Sequence, residues 1–355
     1  MEYDFLPEKH WDNHDYLLYL YDVIADMIRK SDQNKLTSFK LQFDNEETAH
    51  SFENEEDMFK WMDENGFHET SVKVFESHVF FSLLTDFCYY LYESLSCAKR
   101  GKVTVAYTLL RKPIRDNLLY LEWLLDDCEE FYNAFLYGPI EQCDVANYKI
   151  FDKKRIQKIV DSASKKTYMG EQLNNNNFLY TLRFNNKDVR GLQRIWNQSM
   201  HLITTSPNYL TNQGNLNFIF TDDKIWSDYW NYYYLVMPQL ITYSLEICEA
   251  IFTKISKVND FDLSFNRSVR YAKYNKTLPS LESIAELEIY PHEILNVLKE
   301  SGGVAALTCE QCNQSIQIDD ETMKKIVAGW FIKCNSCGED HSICRYIVDI
   351  DVLAI

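Results

Sequence analysis

The sequence predicts a mostly α protein: a helical bundle, preceded by a small acidic subdomain and followed by a small metal-held module. Three observations carry that expectation. Apolar residues recur at helical spacing over long runs, so several long helices can share one core. Glycine and proline number only 10 and 7 in 355 residues, too few for the many turns of a sandwich or barrel. Four cysteines near the C-terminus stand in two closely spaced pairs, the pattern of a metal site. The length suits two or three domains. The expected divisions are an acidic N-terminal subdomain (1–70), a helical bundle (71–257), a linker with short helices (258–303) and the cysteine module (304–355).

Taken in order, residues 10–30 read as an amphipathic helix whose basic end, Arg29 and Lys30, suits the helix dipole. Residues 37–43 alternate like a short strand, and 45–64 read as one acidic helix ending before Gly66. Residues 72–98 are apolar nearly all round, through Phe80, Phe81, Leu84, Phe87 and Leu91, so a central buried helix is expected. Gly101 breaks it. A second long helix over 103–126 returns alongside as an antiparallel hairpin. Shorter helices follow near 128–137, 139–147 and 150–164, then a helix over 186–200 and an irregular connection over 201–222 rich in Thr, Asn and Gly. An aromatic helix spans 223–257, with Pro238 as a potential kink. Residues 258–279 read as a polar linker carrying Arg267, Arg270, Lys273 and Lys276, and 280–301 as two short helices.

Charge is unevenly distributed. The net charge of −17 divides into −14 over residues 1–96, +5 over 97–276 and −8 over 277–355. Exposed charges are screened beyond about 8 Å at physiological salt, so the basic middle can still meet a phosphate backbone. The plainer reading is that acidic ends keep the chain soluble. The N-terminus lacks the basic and apolar regions of a signal peptide. Tyr229 to Phe252 is long enough to span a bilayer, but Pro238, Glu246 and Glu249 interrupt it. The expectation is a cytoplasmic protein without a membrane partner.

The strongest chemical signal is Cys309-Glu-Gln-Cys312 and Cys334-Asn-Ser-Cys337, two Cys-x-x-Cys pairs that suit one tetrahedral thiolate site. Gly338 lets the backbone curl so that amides face the sulfurs. In a cytosolic chain this points to structural zinc. The module resembles a zinc ribbon over about residues 304–350. Four thiolates close the coordination sphere and leave no position for a catalytic water. His341 and Cys344 lie nearby as substitute ligands.

Two further places are candidates. Arg111 and Arg115 are four residues apart on an apolar helix and can grip a phosphate bidentately, unless they pair with Asp116 or Glu122. Arg194 and His201 are seven apart, which on one helix puts both on one stripe roughly 10 Å apart. Arg with His is the equipment of a metal-independent nuclease, His moving protons and Arg neutralising charge on the phosphate. The plainer reading is a helix-terminal His near backbone carbonyls and an exposed Arg.

Arg194-x6-His201 resembles the Arg-x(4–6)-His signature of the HEPN superfamily of prokaryotic helical proteins, many of which are RNA-cleaving toxins or antiviral effectors. The stretch from Ala106 to Asn117, with Ser199-Met-His201, extends the likeness over about residues 71–257. The resemblance implies His201 as acid/base, Arg194 as the phosphate contact, Asn197 as an orienting group, RNA as substrate, and a homodimer whose motifs share one cleft. The expected function is therefore a metal-independent endoribonuclease in antiviral defence or a toxin–antitoxin setting. The alternative is a non-catalytic zinc-ribbon adaptor that binds a protein or nucleotide partner.

Overall fold

The structure is a computed structural model, and it describes residues 3, 5–220, 222–278, 295–296, 306–329, 331–342, 346 and 348. It is mostly helical, and its four C-terminal cysteines converge.

Helix α1 (Trp11–Asn34) stops where Lys35 adopts a left-handed backbone at φ +53°. Its inner face, with Leu17, Leu20, Val23, Ile24 and Met27, is wholly buried. That face packs against α4 (His68–Lys99) and α12 (Asp223–Ile255), so the first helix of the acidic segment shares the bundle's core. The single helix expected over 45–64 is two, α2 (Glu46–Glu53) and α3 (Met58–Glu64). Asp57 accepts a hydrogen bond from the Lys60 N–H and opens the second, which is what divides them. The strand expected over 37–43 does not form, since the segment has no ladder partner among the described residues.

Helix α4 is the central buried helix. Gly101, at φ +76°, turns the chain into the returning arm of the hairpin. That arm is α5 (Val103–Arg111), a π-helical turn (Lys112–Asn117) and α6 (Leu118–Asp126). Pro113 has no N–H to donate and crowds the preceding turn, so the ladder widens there. The carbonyl of Ile114 accepts from Arg183 Nε at 2.8 Å, and Arg183 Nη1 meets Glu122 at 2.6 Å, both side chains fully buried. The second internal proline is met differently. Pro238 cannot donate to Tyr234, and Asn13 Nδ2 of α1 donates to that carbonyl at 3.1 Å instead. The long helix continues through the proline to Ile255.

Four shorter helices complete the bundle wall: α7 (Cys128–Leu136), α8 (Lys153–Lys165), α9 (Gly170–Leu173) and α10 (Phe178–Phe184). The helix expected over 139–147 is only a 3-10 turn at Ile140–Cys143. Helix α11 spans Leu192–Met200, six residues shorter at its start than expected. The segment read as a polar linker contains α13 (Asp260–Lys276). Its Arg270 is fully buried and ion-paired to Glu246 (2.7 Å) and Glu249 (3.1 Å) of α12. Helix α12 is long and apolar enough by composition to cross a membrane, but its apolar stretch is mostly buried against the other helices. The two helices expected over 280–301 lie outside the described residues apart from 295–296.

The C-terminal module follows as β1 (Ala306–Thr308), β2 (Ser315–Gln317), α14 (Asp320–Ala328), β3 (Phe331–Lys333) and β4 (Asp340–Ser342). The strands form two antiparallel hairpins with α14 between them in sequence, and α14 packs on α13. Beyond β4, Tyr346 is buried against the bundle: its N–H reaches Asp26 of α1 at 2.9 Å and its hydroxyl reaches Glu249 at 2.8 Å.

Candidate metal centre and an uncharged loop

Each cysteine pair occupies the tip of one hairpin, and the two tips are built alike. Thr308 pairs with Ser315 across the first hairpin, and Lys333 with Asp340 across the second. In the first, the Asn313 N–H donates to the Cys309 carbonyl (2.9 Å) and the Cys309 N–H to Gln314 (2.9 Å). In the second, Gly338 donates to Cys334 (2.8 Å) and Cys334 to Glu339 (2.8 Å). Both tips need a left-handed residue after the second cysteine. Gly338 supplies it at φ +79° and Asn313 at φ +55°, the side chain that tolerates this region best after glycine.

The four Sγ atoms lie within 4.8 Å of one another. Cys309 and Cys337 are 3.6 Å apart, and Cys312 and Cys334 are 3.7 Å apart. A disulfide requires about 2.05 Å, so these are four separate thiols. A metal–sulfur bond of about 2.3 Å in a tetrahedron puts sulfurs roughly 3.8 Å apart, and the cluster fits that edge. Backbone N–H groups of Cys337 and Ser336 face Cys334 and hold its thiol down to about 6. His341, buried on β4, places Nε2 3.1 Å from Cys309 Sγ, where a ring N–H can donate to a ligating sulfur. Cys344 lies outside the described residues.

The other sequence candidates lie in the returning arm of the hairpin and at the end of α11. Arg115 is buried and paired to Asp116 at 2.7 Å, the structural alternative to phosphate binding. Arg111 is half-buried at the edge of the π-helical turn, which breaks the regular four-residue spacing to Arg115. Helix α11 ends at Met200, and His201 has an extended backbone (φ −126°, ψ 128°). His201 is thus the residue that closes α11, its N–H still donating to the Asn197 carbonyl at 3.1 Å. Arg194 and His201 are both exposed, and Asn197 donates Nδ2 to the Gln193 carbonyl at 2.7 Å, within its own helix.

No family model matches this chain, and no curated protein or solved structure does. The HEPN resemblance thus has no support beyond the residues that suggested it.

What surrounds His201 is a different kind of surface. From Ile195 to Thr221 the sequence has no Asp, Glu, Lys or Arg, in a chain that is 25% charged. Within this stretch two polar side chains are turned inward, while His201, Thr205, Asn208, Asn212, Gln213 and Asn215 are exposed. Thr204 and Asn217 are buried. Thr204 Oγ1 donates to the Tyr209 carbonyl, Thr211 Oγ1 to Asn217 Oδ1 at 2.9 Å, and Asn217 Nδ2 to the His201 carbonyl at 2.7 Å. Five apolar side chains face outward: Leu202, Ile203, Leu210, Ile219 and Phe220 are each more than half exposed. Phe218 holds a left-handed backbone at φ +61°, a strained state for a bulky residue, and its ring packs on Tyr229. The missing charges were visible in the sequence. The exposed apolar cluster was not, because a run rich in Thr and Asn reads as an ordinary solvated loop.

Proposed function

We propose that this protein is a non-catalytic adaptor: a helical scaffold stapled by structural zinc at Cys309, Cys312, Cys334 and Cys337, which associates through its uncharged 201–220 loop. The exposed apolar cluster of this loop, on a frame hydrogen-bonded through Thr204, Thr211 and Asn217, is the observation that carries this reading. Exposed apolar clusters are characteristic of interaction sites. A loop already fixed by its own hydrogen bonds gives up little entropy on binding. A patch without charges is also complementary to itself, so the partner we propose is a second copy of the chain across a two-fold axis. Zinc, when bound, supplies folding stability and no reaction step, since four thiolates leave no open position.

Sedimentation velocity from 1 to 100 μM tests this. The expected result is a dimer in the wild type and a folded monomer after Leu202→Asp with Phe220→Asp. A wild type that stays monomeric throughout, or a dimer indifferent to the two substitutions, rejects self-association through the loop.

A second reading, the metal-independent ribonuclease, keeps one supporting observation: Arg194 and His201 are both open to solvent. Its test is RNA cleavage by the wild type set against Arg194→Ala and His201→Ala, and cleavage lost in both variants would support it.

A further inference from the structure

A cavity of about 450 Å3 lies between the turn that follows α1, the first third of α4 and the end of α12. Its volume falls within the range of small-molecule sites, about 300–1,000 Å3. The floor is apolar, made by Leu36, Phe39, Val74 and Ile255. Lys40, Lys73 and Lys254 stand around it, all three exposed. Glu76 is the one acidic lining residue, and it is engaged by Lys254 at 2.5 Å. Lys40 and Lys73 have no ion-pair partner among the described residues.

This arrangement runs against its surroundings. Residues 1–96 carry a net charge of −14 with only seven lysines and arginines, yet two of the seven meet a third lysine at the rim of one apolar hollow. A purely apolar ligand would not use the lysines. A small hydrophilic anion would not use the floor. Together they complement an amphipathic anion, with its hydrocarbon part below and its charge at the rim.

We infer that the cavity is a binding site for an unbranched aliphatic carboxylate, its chain on Leu36, Phe39, Val74 and Ile255 and its carboxylate between Lys40 and Lys73. The site is independent of the 201–220 loop and of the cysteines. Each methylene added to the chain tightens binding about fourfold until the floor is covered.

The test is isothermal titration of the full-length, zinc-loaded chain with octanoate, decanoate and dodecanoate below their micellar concentrations, and with dodecylammonium. The expected result is rising affinity along the carboxylate series and no binding of the ammonium. The double substitution Lys40→Glu with Lys73→Glu, both on exposed positions, should weaken dodecanoate at least tenfold and admit dodecylammonium, with an unchanged melting temperature. Equal affinity for the two dodecyl ligands, an unaltered variant, or no carboxylate binding in a folded wild type would each overturn the assignment. If the double variant melts early, Lys73→Gln alone makes the same comparison, and full dodecanoate affinity there overturns it too.

Discussion

Replacing Arg270 by methionine should remove a large part of the fold's stability. The guanidinium is fully buried between Glu246 and Glu249, themselves 1% exposed. Nε reaches Glu246 at 2.8 Å, while Nη1 and Nη2 reach Glu249 at 3.2 and 3.1 Å. Burial penalises the charged form of Glu249, but Arg270 and then Arg267 outweigh it and hold the carboxyl below its ordinary value. Methionine fills much of the volume and carries no charge. Glu249 then keeps Arg267 at 2.6 Å and the Tyr346 hydroxyl at 2.8 Å. Among the described residues, Glu246 keeps only the Met169 N–H at 2.9 Å. Stranding a buried charge in this way costs about 3–5 kcal/mol, against a total stability of about 5–15 kcal/mol for an ordinary domain. Urea denaturation at pH 7, extrapolated linearly, measures the loss. Adding Glu246→Gln removes the stranded charge and should recover part of it, so the double variant is more stable than Arg270→Met alone. A loss below about 1 kcal/mol, or no recovery in the double variant, would refute the reasoning, because the cost would then not come from an uncompensated buried carboxylate.

Other outcomes follow from single contacts. His68 stands between Asp63 and Glu129, each at 2.8 Å, and these bonds raise its pKa above the usual 6.5. The contribution is therefore full below about pH 6.5 and fades as pH rises through the higher folded value. The melting-temperature difference between wild type and His68→Gln should be larger at pH 5.5 than at pH 8.5, and modest because the site is exposed; a difference that grows with pH would contradict the assignment. Asn13→Ala leaves the Tyr234 carbonyl without its donor and should cost about 1–3 kcal/mol in urea. Gly338→Ala meets open space but keeps φ +79°, so it should destabilise the metal module by about 1–2 kcal/mol, read as faster zinc loss to a competing chelator.

Much of the fold is legible where one local signal dominates. The run from Ser71 to Ala98 carries so many apolar residues at helical spacing that a largely buried helix suits it, and Gly101 marks its turn. The cysteine pairs carry their own geometry in their spacing. Illegible were the places where a distant side chain decides. Pro113 and Pro238 lie inside the helices expected over 103–126 and 223–257, but the sequence does not show that Asn13 of α1 takes up the Tyr234 carbonyl that Pro238 leaves free. Arg270 looks like a solvated linker residue until Glu246 and Glu249, some twenty positions earlier, are known to be buried against it. At the Arg194 and His201 motif, α11 ends at Met200 as expected, but the sequence does not show that Asn217, sixteen positions on, takes up the His201 carbonyl.

The proposed scaffold depends on one metal held by the four sulfurs of Cys309, Cys312, Cys334 and Cys337. X-ray absorption at the zinc edge, on protein expressed in zinc-supplemented medium, measures this directly. One zinc per chain with four sulfur neighbours at about 2.3 Å is the expected spectrum. A nitrogen neighbour at about 2.0–2.1 Å, which would mean that His341 has displaced a cysteine, or a chain that takes up no zinc while its thiols remain reduced, would contradict it.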